Sequence, residues 1–243
     1  MTDIAAQIGA SLNALTKEFD IVAHNMANVS TVGFKRRCNS FTKVMESQEG
    51  ANDPSGAESA ESEGVFDFSQ GNLTPTGRSL DLALHGEGFF VIETPDGPVY
   101  TRHGVFLTNQ NGQIVDTAGR VVAGTAGPLI VPPDVDVGDL YITDEGRVIA
   151  GQSEIGQFRI VQFINNQNKL VAVGQNCFQP PKDVTPTDAT GVIVKQGYQE
   201  ASNVKLVDEL VNMILVSRMY EANMRLVSTK KESSNAALGV AMG

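Results

Sequence analysis

No tryptophan occurs among the 243 residues, and aromatic side chains amount to 6% of them. Basic residues are also scarce, with 18 lysines and arginines against 28 aspartates and glutamates and a formal net charge of −10. Such a chain lacks the electrostatic footprint that a phosphate backbone demands, which excludes nucleic acid as the expected partner. Hydrophobic residues make up 41% of the sequence, yet no run approaches the roughly 18 apolar residues of a membrane helix, so no direct membrane insertion is expected. The two cysteines, Cys38 and Cys177, lie far apart with no Cys or His partner at zinc spacing, and they read as free or buried thiols rather than metal ligands. The opening MTDIAAQIGASLNALTKEF has no basic stretch followed by a continuous apolar one, so no cleaved secretory signal is expected.

Catalytic patterns are missing as well. His24, His85 and His103 stand in no arrangement with Ser, Cys or clustered carboxylates that would pair a nucleophile with a base. Gly151-Gln152-Ser153-Glu154-Ile155 follows a nucleophile elbow until its last position, which requires Gly. Gly86-Glu87-Gly88 precedes a strand-like run rather than a helix and reads as a tight turn, not a pyrophosphate cradle. Asp96, Asp116 and Asp144 belong to turn sequences, where Asp is favoured for its local hydrogen bonds. No catalytic, cofactor-binding or metal-ligating residue is therefore assigned, and the enzyme reading is weak.

What is present begins with periodicity. Ile8, Leu12, Leu15, Phe19, Val22, Met26 and Val29 advance by alternating steps of four and three, the 3.5-residue period of a coiled-coil seam. Asn28 to Gly33 then offers β-branched residues and a glycine suited to a left-handed position, so the helix should stop there. The following Lys35-Arg36-Arg37 reads as a solvated cluster complementing the negative end of the helix dipole. From Val44 to Gly77 there is no Lys or Arg while acids accumulate, and 46–64 reads as a flexible acidic loop.

Residues 65 to 200 read as all β. Leu80, Leu82 and Leu84 alternate with Asp81 and Ala83, and Phe89-Phe90-Val91-Ile92 forms a buried run closed by Pro95-Asp96-Gly97. Asn109-Gln110-Asn111-Gly112, Asp116-Thr117-Ala118-Gly119 and Asp144-Glu145-Gly146 supply further turns. Helical spacing returns at Leu206, Leu210, Met213, Ser217, Tyr220, Met224 and Val227, with Val207, Val211 and Ile214 widening the apolar face. The expectation is a mainly β central domain, an antiparallel sandwich or barrel-like body, flanked by N- and C-terminal α-helices that pair as a coiled coil. Its divisions are a helix over 1–34, a connector with the acidic loop over 35–64, the β-rich domain over 65–200 and a second helix over 201–243. The leftover apolar width predicts that both helices pack further copies.

Three runs carry a resemblance. His24-Asn25-Met26-Ala27-Asn28-Val29-Ser30-Thr31-Val32-Gly33-Phe34-Lys35 resembles the NxANxxTxGFK motif of the bacterial flagellar rod and hook protein family. Gln70-Gly71-Asn72-Leu73-Thr74-Pro75 through Asp81, Gly88 and Phe89 is similar to that family's central motif, and Ser202-Asn203-Val204 through Arg218, Tyr220, Glu221 and Asn223 to its C-terminal one. The resemblance implies a structural axial subunit of the basal-body rod, needing no cofactor, partnered by its own copies and by other rod and hook subunits. It further implies passage through the flagellar type III export apparatus without a cleaved signal, and residence in the rod that spans the periplasm. Within the family the proximal rod is favoured, partly because Gly127–Pro132 and a strand pair of Gly156–Phe163 with Leu170–Phe178 resemble proximal-rod sequences. The distal rod and a hook-like subunit are the alternatives. The rival classes are a secreted β-domain hydrolase and an adhesin, each with oligomerising coiled-coil ends.

Overall fold

The computed structural model describes residues 2–39 and 65–241, with side chains described from 7 to 230. The acidic stretch 46–64 lies outside the described residues. Helix α1 spans Thr2–Ala27 and helix α2 spans Leu206–Ala241, and all paired strands between them are antiparallel. No helix among the described residues is long and apolar enough to cross a membrane.

The body is built on a six-stranded sheet whose centre is the hairpin Phe89–Thr94 and Gly97–Thr101. Its turn forms at Pro95-Asp96, and Gly97 takes a positive φ of 116° that L side chains resist. The continuous apolar run Phe89 to Ile92 arises because both faces of this sheet are covered. Phe90 and Ile92 enter one core with Leu82, Phe106 and Phe158, while Phe89 and Val91 enter a second with Phe66, Phe163 and Phe178. Edge-to-face ring pairs fix each core, Phe90 on Phe106 at 5.1 Å and Tyr100 on Phe163 at 4.9 Å.

The expected turns at Asn109–Gly112, Asp116–Gly119 and Asp144–Gly146 all form, the second held by Asp116 Oδ1 accepting from the Ala118 and Arg120 amides at 2.9 Å each. One expected pairing does not. Residues 156–163 do not pair with 170–178: Ile160–Gln162 pairs with the Phe89–Thr94 strand and with Thr187–Asp188, whereas Val171–Gly174 and Cys177–Gln179 close a hairpin of their own. Gln175 and Asn176, both at positive φ, make that tight reversal, and Cys177–Gln179 pairs on its other side with Gly97–Thr101. Cys38 and Cys177 are both buried.

The two ends of the β domain meet. Leu73–Pro75 pairs with Tyr198–Glu200, Leu82–His85 with Ile193–Gln196, and Arg37–Cys38 with Val65–Phe66. Both terminal helices therefore leave from one region, where they pack against each other.

Close backbone approach makes some glycines obligatory. A Cβ on Gly104 would lie 1.6 Å from the Leu82 carbonyl oxygen, whereas one on Gly119, at φ 81°, meets nothing within 4 Å. Gly104→Ala is expected to cost about 3 kcal/mol or more of β-domain stability because backbone must move. Gly119→Ala should cost only the roughly 1–2 kcal/mol of a left-handed L residue. Urea unfolding midpoints of the two variants measure the difference.

Candidate assembly interface

The region where the ends meet is organised by charge in the interior. The last turn of α1 is closed by Asn28, whose side chain donates to the His24 carbonyl at 2.9 Å and accepts from Thr31 Oγ1. The chain then runs against the strand carrying Arg102, where Gly33 is at φ 66° and a Cβ would come within 2.6 Å of the Arg102 carbonyl. Its amide donates to the Glu200 carbonyl at 2.7 Å. Phe34 and Lys35 follow, both buried.

Lys35 is fully buried and donates from Nζ to Glu200 Oε1 and to the Ser69 carbonyl, each at 2.7 Å. The same carboxylate oxygen accepts from the Gly71 amide at 3.0 Å, and Oε2 accepts from Arg102 Nη1 at 3.3 Å. Arg102 Nη2 reaches the Gly86 carbonyl at 2.7 Å, and its guanidinium lies over the Phe89 ring. One carboxylate thus serves two cations, all three with side chains at most 2% exposed. Burial pushes the Lys35 ammonium below the ordinary lysine range and Arg102 pushes the same way, with Glu200 opposing both.

This overturns the reading of Lys35-Arg36-Arg37 as a solvated cluster. Arg36 forms an ion pair with Glu209 of α2, itself fully buried, and Lys35 finds a partner 165 residues away. Asn203 binds the remaining strands, accepting from the Arg36 amide at 2.7 Å and donating to the Asp67 carbonyl at 2.8 Å and to Ser69 Oγ at 3.0 Å. Asn25 brackets the backbone of residue 37, donating to its carbonyl at 2.9 Å and accepting from its amide at 2.8 Å.

The structure brings Asn25, Asn28, Gly33, Phe34, Gly71 and Asn203 together here, with Val204 buried behind Ser202, whose hydroxyl accepts from the Val204 amide. A Cβ on Gly71 would lie 1.9 Å from the Ala201 carbonyl. Asp81, Gly88 and Phe89 belong to the β domain: Asp81 Oδ2 accepts from Thr76 and Gln199, and Gly88 packs on Ile160 and Val192. Arg218, Tyr220 and Glu221 are exposed on α2, and Asn223 is half-buried and donates to Ser11 at 3.3 Å. Sequence reasoning missed Arg36, Arg102, Glu200 and Glu209. Lys35 stood inside the quoted N-terminal run, but nothing local marks Glu200 as its partner.

Along the helices, the contact face of α1 includes Leu15 and Val22, both buried, with Ile8, Leu12 and Met26 half-buried and Phe19 exposed. On α2 the inward positions are Glu209, Val216 and Asn223, spaced by one heptad, with Met213 half-buried beside them. Leu206, Leu210, Tyr220, Met224 and Val227 are exposed. The row that the spacing singled out on α2 is therefore not the row that meets α1. Glu209 is the reason: its ion pair with Arg36 fixes the rotation of α2 about its axis and turns an adjacent, more polar face inward.

A β domain that carries both chain ends away as one helix pair, rooted in a buried ion cluster, is built as a structural part. Residues 83–150 match the family model described as the flagellar hook protein FlgE/F/G D1 domain, and residues 195–240 the one described as the flagellar basal body rod FlgEFG protein C-terminal region. Flagellar basal-body rod protein FlgG of Buchnera aphidicola subsp. Schizaphis graminum is 36% identical over 91% of this chain and 93% of its own. FlgF of Caulobacter vibrioides is 32% identical over 97% of both chains, and FlgG of Bacillus subtilis 31% identical over 93% of both. The chain belongs to the flagellar basal-body rod protein family, a structural family, and the hydrolase and adhesin readings give way to it.

Glu200→Gln is expected to destabilise the junction by about 3–5 kcal/mol at pH 7, because it leaves two buried cations uncompensated. Without Glu200, Lys35 falls further below its unfolded pKa, so over that interval the unfolded state binds more protons and stability rises with pH. The deficit relative to wild type should therefore shrink between pH 7 and pH 10 in guanidinium unfolding. A pH-independent deficit would remove Lys35 from the account.

Proposed function

We propose that this chain is a structural axial subunit of the bacterial flagellar rod that polymerises through its terminal helices, paired as a coiled coil, into a tubular drive shaft. The observation that carries the reading is the apolar row of α2. Val207 is 70% exposed, Ile214 53% and Val211 50%, and Leu206, Leu210 and Leu215 flank them on the first turns of the helix. An exposed apolar patch over the first turns of a helix is a surface to be covered. A heterologous contact whose rotation does not close generates a filament, so copies packing helix to helix give a tube with the helices inside and the β domains outside.

Its partners are then its own copies and other rod and hook subunits, and it reaches the rod through the flagellar type III export apparatus. The proximal rod is favoured over the distal rod and the hook. The resemblance of Gly127–Pro132 to proximal-rod sequences supports this. The acidic composition of 46–64 supports it too, because like charges repel when copies crowd around an axis, and such a stretch suits a short layer better than a long stiff tube.

Because α1 and α2 share a narrow seam, their outer turns should exchange amide hydrogens quickly in the monomer and become protected on assembly. Purified protein at rising concentration is expected to form filaments in electron micrographs. Leu210→Asp should abolish them while leaving the near-ultraviolet circular dichroism of the β domain unchanged, since Leu210 is 42% exposed in the single chain. Filaments persisting in that variant would show that another surface drives assembly.

A further inference from the structure

Arg37 carries a charge that the junction does not use. Lys35, Arg36, Arg102 and Arg120 each meet a carboxylate. Arg37, half-buried, makes no ion pair among the described residues, and its Nε is buried without a hydrogen-bond partner. Its position is nevertheless fixed, since Asn25 brackets its backbone and the guanidinium lies over the Phe66 ring, 5.5 Å from the centroid. Arg37 lines a cavity of about 510 Å³ where the turn after α1 faces the Val171–Gly174 and Cys177–Gln179 hairpin. His24 and His103 line the same cavity, and among the described residues no aspartate or glutamate does. Burial holds both histidines below their ordinary range; for His24 the Arg37 charge adds to it, whereas for His103 Asp116 and Asp81 oppose it.

We propose that this cavity receives a carboxylate side chain from a second copy of the chain packed beside it, and that Arg37 is the residue that pairs with it. The inference rests on the reading that the chain polymerises. Charge complementarity supplies the occupant: with 28 aspartates and glutamates against 18 lysines and arginines, a neighbouring copy offers an excess of carboxylates, and here a positioned guanidinium lines a concavity that has no aspartate or glutamate among its described residues. Guanidinium forms its strongest hydrogen bonds with carboxylate, and a partly desolvated site strengthens them. The pairing would set the rotational register between copies, which a greasy helix stripe leaves loosely specified.

The test uses Arg37→Lys, which keeps the charge and gives carbodiimide an amine to couple to any carboxylate held against it. Filaments grown from a mixture of unlabelled and ¹⁵N-labelled subunits are cross-linked, digested and analysed by mass spectrometry. The expected result is an amide link from the introduced lysine to an acidic residue in peptides of mixed label. Links confined to a single label, which come from an acid of the same chain, overturn the proposal, and so does the absence of links in filaments that form. Wild-type protein gives a check independent of the substitution. Phenylglyoxal should modify Arg37 in the monomer and at least tenfold more slowly in the filament, and equal reactivity overturns the pairing while leaving the helix-driven reading intact. Failure of wild-type protein to form filaments at all overturns both.

Discussion

The carboxylate of Glu200 is the interaction on which the rest of the arrangement depends. It accepts from Lys35, Arg102 and the Gly71 amide, while the carbonyl of the same residue accepts from Gly33. One residue thereby joins the segment leaving α1, the strand carrying Arg102, the segment entering the β domain and the segment leading to α2. Burying three ions is costly, and a hydrophobic replacement of equal volume is often as stable. What the cluster supplies is geometry: with Asn203 and Asn25 tying the same segments, the two chain ends are held in one arrangement.

Stability is distributed unevenly as a consequence. The β domain covers both faces of its central sheet with its own aromatic cores and needs nothing from outside. The helices bury little, meeting through Leu15, Val22 and Val216 with Glu209 and Asn223 between them. A helix held by so thin a seam is fixed at its root and weakly held along its length. That division suits the proposed assembly, in which neighbours complete the ends.

The rotation of α2 shows how a local charge decides a global surface. Had the row Leu206, Leu210, Met213 and Tyr220 faced α1, most of the apolar stripe would be spent within one chain. The Arg36–Glu209 pair turns that row outward instead. The excess apolar width, legible in the heptad pattern, is thus left exposed beside an ion pair that the pattern does not reveal.

The existence of both helices, the turns at Asn109, Asp116 and Asp144, and the buried run Phe89 to Ile92 were legible because each depends on neighbours within a few residues: side-chain period, turn chemistry, or an apolar stretch too long for a half-exposed strand. The three family runs likewise marked Asn25, Gly33, Gly71 and Asn203 as special before any contact was known. Why they are special was not legible. Gly33 is required by the backbone of Arg102, Gly71 by the carbonyl of Ala201, and Lys35 by a carboxylate 165 residues further on. The same holds for the hairpin that keeps 171–179 from pairing with 156–163. The sequence by itself determined which segments are helix, strand and turn, since those choices are local. Only the tertiary structure decided which charges are buried, which helix face is left open and which glycines admit no side chain, because each of these depends on atoms that the chain brings near only after it has folded.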